Sequence, residues 1–248
     1  MRKYFSISLL LFLSVGFSQK EYNINHILKR DGVYIKKFSD EIVNGKVFQM
    51  FGDNKVPLGM VTNGKINGKW TSWYKNGQKD REVHYKDGKE DGLHTSWYKN
   101  GQKEKEVHYK DGKEDGLHTF WYENGQKFSE GTFKDGSSDG LHTSWYENGE
   151  KEMERTFKDG KLDGLSTGWK PNGKKESDIN YKDGKIDGLT TFWYESGQKK
   201  QEVTYKDGKE IGVYTVWYEN GQKNSEYTYK DGKIISKKEW NEDGSVKE

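Results

Sequence analysis

The chain has 248 residues, of which 30% are hydrophobic and 15% aromatic, and it contains 30 glycines and no cysteine. Its formal net charge is +2, from 42 basic and 40 acidic side chains, so it lacks the basic excess typical of nucleic-acid-binding proteins. The missing cysteines exclude disulfides, thiolate metal sites and thiol chemistry. Abundant large rings spaced between glycines favour an all-β array over disorder.

The first eighteen residues have the composition of a secretory signal peptide. Arg2 and Lys3 precede a leucine-rich apolar stretch, which is shorter than the roughly 20 residues needed to span a bilayer. Gly16 and Ser18 supply the small residues that a signal peptidase requires before the cleaved bond. The sequence therefore predicts cleavage near Ser18 and an extracytoplasmic protein, whether periplasmic, at the cell surface or secreted, with no transmembrane segment in the mature chain.

Two flanking regions are expected to close the ends of the molecule. Residues 19–44 are interpreted as an N-terminal cap with a strand pair around Asp31-Gly32. Residues 45–67 resemble a degenerate copy of the repeat that follows, with Asn63-Gly64 where later copies have Asp-Gly. Residues 236–248 are expected to form a C-terminal cap or a truncated further repeat.

Residues 68–235 consist of seven tandem copies of a 24-residue repeat, each opened by a glycine that is counted here as position 1. Every copy has threonine at position 4 and tryptophan at position 6. Each copy also carries two turn signals, as at Asn100-Gly101 and Asp111-Gly112, which predict two antiparallel strands per copy. The predicted fold is all-β, an elongated antiparallel β-hairpin meander of tandem repeats.

The Asn-Gly turn sets the predicted register. Pro171 precedes Asn172-Gly173, and a type I turn followed by a bulged glycine accepts proline there, whereas a type I′ turn does not. This turn predicts an apolar face that carries Leu93, Thr95, Trp97, Val107 and Tyr109. It predicts a polar face that carries His94, Ser96, Tyr98, Glu106 and His108.

Two rows of aromatic residues are the main candidates for structure and for binding. The tryptophans are expected to form the structural core, because large rings supply most of the burial in so polar a chain; they are Trp73, Trp97, Trp121, Trp145, Trp169, Trp193 and Trp217. Tyrosines at position 7 are expected to form an exposed binding face, since they recur about every 10 Å on the polar side; they are Tyr98, Tyr122, Tyr146, Tyr194 and Tyr218.

The remaining polar repeats give no sign of catalysis. Histidines at positions 3 and 17 are expected to be solvated cross-strand partners, because later copies replace them with serine, threonine or tyrosine. The acids at position 15 are expected to pair with lysines across strands, since a ladder of identical carboxylates lacks the unequal pKa values that acid–base catalysis requires. No catalytic residue, metal site, cofactor or enzymatic activity is predicted.

The unit G-L-x-T-x-W-Y-x-N-G-Q-K…Y-K-D-G-K-x-D-G resembles the bacterial variant of the MORN repeat, over about Gly45 to Ile235. That variant occurs in proteins commonly labelled YwqK-type antitoxins. The resemblance implies a β-hairpin meander, a role in protein–protein or membrane-associated interaction, and no catalytic residues. The antitoxin label fits a signal peptide poorly, because an antitoxin normally neutralises its toxin inside the producing cell.

The leading hypothesis is an exported, non-enzymatic module that holds a protein partner at the cell envelope or outside the cell, with avidity from repetition. One alternative is binding of envelope carbohydrate by the tyrosine row. Others are an antitoxin-like partner of a toxin and a purely structural spacer.

Overall fold

A computed structural model describes residues 19–230 and 232–247, so the expected signal peptide lies outside the described residues. The described part of the chain contains twenty strands and one short 3₁₀ helix, Ile24–His26. The chain divides into two compact units between Lys65 and Ile66.

The first unit contains five strands. They are β1 (Glu21–Asn23), β2 (Ile27–Arg30), β3 (Val33–Lys36), β4 (Gly45–Phe51) and β5 (Asn54–Thr62). β2 pairs with β3 across Asp31-Gly32, which confirms the predicted strand pair, and β4 pairs antiparallel with β5 and parallel with β1. Its core is aliphatic, with Val43, Val47 and Val61 almost entirely buried.

The second unit contains β6, which begins at Lys65, and the fourteen strands that follow. They are β6 (Lys65–Trp73), β7 (Lys79–Lys86), β8 (Lys89–Trp97), β9 (Lys103–Lys110), β10 (Lys113–Trp121), β11 (Lys127–Lys134), β12 (Ser137–Trp145), β13 (Lys151–Lys158), β14 (Lys161–Trp169), β15 (Lys175–Lys182), β16 (Lys185–Trp193), β17 (Lys199–Lys206), β18 (Lys209–Trp217), β19 (Lys223–Lys230) and β20 (Lys233–Glu239). Each strand pairs antiparallel with the next. The predicted all-β meander of tandem hairpins is confirmed.

The two turns of each repeat are built differently. At the Asp-Gly turn both central residues have positive φ, as in Asp111 (51°) and Gly112 (82°), which is the geometry of a two-residue type I′ hairpin. At the Asn-Gly turn the glycine N–H donates to the residue three before it, and the glycine has positive φ. In the copy with proline, Gly173 donates to the Lys170 carbonyl at 2.8 Å. The bulged type I turn predicted from Pro171 is confirmed.

The predicted assignment of side chains to faces is wrong, because each repeat contains a second bulge just after the Asn-Gly turn. Trp97 pairs with Lys103 but Ser96 pairs with Lys105, so Glu104 has no partner of its own on the opposite strand. A one-residue slip moves every following side chain to the other face of a sheet. His94 therefore lies opposite Val107, and Thr95 lies opposite Glu106.

The corrected faces mix the predicted apolar and polar sets. The leucine face, as defined here, carries Leu93, Thr95, Trp97, Glu106, His108 and their equivalents. The valine face carries His94, Ser96, Val107, Tyr109 and their equivalents. The valine face holds the most deeply buried aliphatic side chains of this unit, at Val83, Val107 and Val203.

Candidate functional site

The leucine face bears an exposed row of aliphatic residues at the position that the sequence interpretation placed on the apolar face. We call the exposed residues at position 2 the leucine row, which consists of Leu117, Leu141, Leu165, Leu189 and Val213. Their exposed fractions lie between 46% and 52%. Successive members of the row lie on every second strand, so the row repeats about every 10 Å. Single exposed leucines are ordinary, but a regular row of them is a candidate contact surface.

Next to this row, each repeat carries a lysine that contacts both a tryptophan ring and a carboxylate. Lys151 Nζ lies 5.4 Å from the centroid of the Trp169 ring and 2.6 Å from Glu154. The same lysine–tryptophan pair recurs in successive repeats. The acid lies three residues after the lysine on the same strand, so the expected cross-strand pairing is wrong for most repeats.

Glu82 has the least exposed side chain of the acids at position 15. Burial favours its neutral form, but hydrogen bonds from Lys79 and Lys69 more than offset that and hold the pKa of Glu82 below its usual value. Lys69 lies on the neighbouring strand, with its Nζ atom 3.0 Å from the Glu82 Oε1 atom. These carboxylates are thus paired anions in near-identical surroundings.

The seven tryptophans proposed as core residues are all half-buried. They belong to the leucine face, where lysine side chains lie over their rings. Threonines at position 4 are more deeply buried beside them, as at Thr95 and Thr191. The tryptophans therefore cover one side of a single sheet, and the tightest aliphatic packing lies on the other side.

The tyrosines proposed as a binding face link successive repeats. Each hydroxyl donates a hydrogen bond to the backbone carbonyl of the tryptophan in the next repeat, and the hydroxyl of Tyr218 donates to that of Trp240. The distances lie between 2.6 and 3.0 Å for Tyr98, Tyr122, Tyr146, Tyr194 and Tyr218. The rings are half-buried, and burial raises the pKa of Tyr98, Tyr122 and Tyr146. Their binding role stays a prediction, but their hydroxyls form hydrogen bonds that join neighbouring repeats of the sheet.

Asparagines of the Asn-Gly turns form a second ladder at the same edge. Asn100 accepts a hydrogen bond from the Gln102 backbone N–H at 2.9 Å and donates to the Glu123 carbonyl of the next repeat, also at 2.9 Å. Asn124 makes the same two contacts one repeat later. Turn residues thus hold neighbouring hairpins together as well as closing their own.

The histidines at position 3 lie on the valine face, and the expectation that they are solvated is wrong for His94 and His118. His94 and His118 are only 6% and 2% exposed. His118 stacks on Phe133 with ring centroids 4.2 Å apart, and His142 lies 4.7 Å from Phe157. Within the described residues, no group of three or more His, Asp or Glu side chains is placed to hold a metal ion.

Burial lowers the pKa of both His94 and His118, and the nearby Lys105 lowers that of His94 further while Glu90 opposes it. The Nδ1 atom of His94 lies 3.6 Å from a Glu90 carboxylate oxygen, which is beyond hydrogen-bond distance. The charged form of both imidazoles is therefore less favourable in the folded sheet than in the unfolded chain, where histidine has a pKa of about 6.5.

The sheet should lose stability as the pH falls from 7.5 to 5.5. Below about pH 6.5 the unfolded chain binds more protons at these two histidines than the folded sheet does, so the free energy of unfolding decreases. Urea unfolding at the two pH values measures the change. A His94→Thr/His118→Thr variant, which copies the buried Thr190, should show a smaller loss; an unchanged loss would contradict the assignment.

The family of the chain follows from its repeats. The MORN repeat variant matches seven stretches, at residues 63–87, 90–111, 114–135, 138–159, 162–183, 186–207 and 210–231. Together they cover more than half of the chain. The chain belongs to the MORN repeat variant family. No curated protein matches it.

Each of the six later MORN matches starts two residues before the position-1 glycine and ends at the Asp-Gly turn. It therefore contains one whole Asn-Gly hairpin, with its leucine, tryptophan and tyrosine. A search of the described residues for a helix with the length and apolarity of a membrane span found none.

Proposed function

We propose that this MORN repeat protein is an exported, non-enzymatic module that holds a protein partner at the cell envelope or outside the cell. The observation that carries the proposal is the leucine row, five half-exposed aliphatic side chains at one repeat position. The paired, near-equivalent acids of the leucine face support a role other than acid–base catalysis.

The surroundings of the leucine row favour a protein over a sugar or a charged polymer. The cross-strand partners of its members are small and neutral, as with Thr132 opposite Leu117 and Asn180 opposite Leu165. Aliphatic side chains gain about 1 kcal/mol each when half of their surface is buried. Sugars bind more commonly by stacking on exposed aromatic rings, and the tyrosine rings here are half-buried.

Repetition adds affinity beyond that of one contact. A partner that reaches two or more copies binds its second site at a high effective concentration, because the row is fixed on one sheet. A helical partner presents the same residue face every two turns, about 10.5 Å, which is close to the spacing of the row. The row therefore suits an elongated apolar surface of a partner protein.

Replacing Leu141, Leu165 and Leu189 together with serine should abolish retention of the partner while the sheet stays folded. The reason is that these side chains are half-exposed and contribute little to packing. Proteins that co-purify with the full chain from its own cells would be compared for the wild type and the triple variant, with circular dichroism as the folding check.

The matched control is Ile234→Ser/Ile235→Ser, which removes exposed aliphatic surface outside the row. This control should retain the partner. Equal retention by the wild type and the triple leucine variant would contradict the proposal. Binding of envelope polysaccharide by both the wild type and the triple variant, with no protein partner, would instead favour the carbohydrate alternative.

Export is tested by fractionating the native cells and sequencing the N-terminus of the mature protein. We expect a chain that begins at Gln19 outside the cytoplasm. A chain that keeps Met1 and stays in the cytoplasm would contradict export and would make an antitoxin-like role with a toxin partner the better account.

A further inference from the structure

Two neighbouring copies depart from the pattern of the valine face at position 16. Copies 1, 2 and 6 have Val83, Val107 and Val203 there, whereas copies 3 and 4 have Gly131 and Arg155. Gly131 lies opposite both His118 and His142, just as Val107 lies opposite His94 and His118. The backbone of Gly131 does not have a positive φ. The backbone conformation therefore does not require glycine at this position.

A cavity on the valine face is lined by Gly131 and by the rings around it. Its volume is about 210 Å³. Its lining includes His118, Phe120, Phe133, His142, Met153 and Phe157. A Cβ atom at Gly131 would overlap the His142 ring, so the glycine is what leaves room for that ring. The cavity is thus built by the local sequence.

The size and the walls of the cavity fit one aromatic ring. An apolar cavity of about 150 Å³ holds benzene, and pockets for larger ligands usually exceed about 300 Å³. Phe133 lies between His118 and His142, at 4.2 and 5.1 Å between ring centroids. Phe157 continues the same series, 4.7 Å from His142. A ligand ring would meet ring faces and edges, the geometry that aromatic pairs prefer.

Arg155 supplies the one full positive charge in the lining, and the one acid that lines it, Glu130, is paired with Lys127 at 2.6 Å. The residue is half-buried, and no carboxylate among the described residues lies within ion-pair distance of it. A guanidinium group that is partly removed from water binds a carboxylate well, because its paired N–H groups match the two oxygens. An anionic group on the ligand would provide that partner.

We propose that this cavity binds an aromatic carboxylate, with its ring against Phe133, His142 and Phe157 and its carboxylate on Arg155. The ligand is either a free aromatic acid or the C-terminal aromatic residue of a peptide. The cavity and the leucine row lie on opposite faces, so this proposal does not depend on the proposed function.

The test measures the binding of two matched pairs of probes to the full chain by calorimetry and by NMR. One pair is 3-phenylpropionate and its amide; the other is an N-acetylated glycyl-phenylalanine and its C-terminal amide. We expect each acid to bind at least about tenfold more tightly than its amide, because a charge-assisted hydrogen bond is lost in the amide. Tighter binding of the peptide acid would identify a peptide source, and tighter binding of 3-phenylpropionate a free acid.

Three variants separate this site from surface binding. Gly131→Val should abolish binding, because its side chain would displace the His142 ring that lines the cavity. It should fold, since Val107 is accommodated between two histidines at the same repeat position. Arg155→Ile, which copies Ile179 of the next repeat, should make the acid and the amide bind alike. Arg81→Gln, at an arginine outside the cavity, should leave the preference unchanged. Equal binding of acid and amide by the wild type, or no saturable binding, would overturn the proposal.

Discussion

Serine in place of Tyr98, Tyr122 or Tyr146 is expected to lower the free energy of unfolding by about 2–3 kcal/mol each. The change removes a half-buried ring, which costs less than the roughly 3–5 kcal/mol of a fully buried one. It also removes a hydroxyl that donates to a tryptophan carbonyl in the next repeat, worth about 1 kcal/mol. Urea unfolding followed by tryptophan fluorescence measures the loss.

The matched control is Tyr122→Phe, which keeps the ring and removes only the hydroxyl. We expect it to cost about 1 kcal/mol, since the Trp145 carbonyl loses its donor. The repeat at Lys170 is a natural comparison, because lysine replaces the tyrosine there. Serine variants as stable as the wild type would contradict the structural role of the row and return it to the candidates for ligand binding.

Val107→Ala and Leu165→Ala are expected to have unequal effects, and they test the corrected faces directly. Val107 is 1% exposed and packs between His94 and His118, so the truncation should cost about 2 kcal/mol from lost burial and the cavity left behind. Leu165 is 46% exposed, so its truncation should change the free energy of unfolding by less than about 0.5 kcal/mol.

The same urea titration serves both variants, and Val203→Ala provides a second buried site in a distant copy. A leucine variant that loses as much stability as the valine variant would restore the original assignment, in which leucine and valine share one buried face. Equal and small losses would mean that neither face carries the main packing of the sheet.

Turn chemistry made the fold predictable from the sequence. Asn-Gly and Asp-Gly alternate along the repeats, and each pair has a well-defined hairpin geometry, so strand number and order followed. Pro171 identified the type I turn correctly because proline fixes φ at its own position. These are local effects, and local effects can be deduced from neighbouring residues.

The second bulge could not be deduced in the same way. No glycine or proline marks Glu104, and the bulge becomes visible only when Ser96 is seen to pair with Lys105. One extra residue exchanged the faces of the strand that follows the Asn-Gly turn, which placed Val107 with the position-3 histidines and Glu106 with the leucines. An alternation of apolar residues tests a register only when the strands contain no further irregularity.

The candidate functional residues show the same difference between what the sequence indicates and what only the structure shows. Repetition drew attention to the tyrosines, but only the structure shows that their hydroxyls bond to the next repeat. The leucine row was visible in sequence as a regular position and was correctly grouped with Thr95 and Trp97, but Val107 and Tyr109 were wrongly placed on the same face. Gly131 and Arg155 had a usable signal, since two adjacent copies lack the aliphatic residue found at position 16 in copies 1, 2, 5 and 6.

The most direct test of the central claim is site-specific photo-crosslinking from position 165 of the leucine row, in the native cells, followed by fractionation. A photoreactive phenylalanine analogue would replace Leu165, with a control at Ile235, which is exposed outside the row. The account predicts one discrete protein adduct in the envelope or extracellular fraction from position 165 and none from position 235. No adduct from position 165, or the same adduct from both positions, would contradict it.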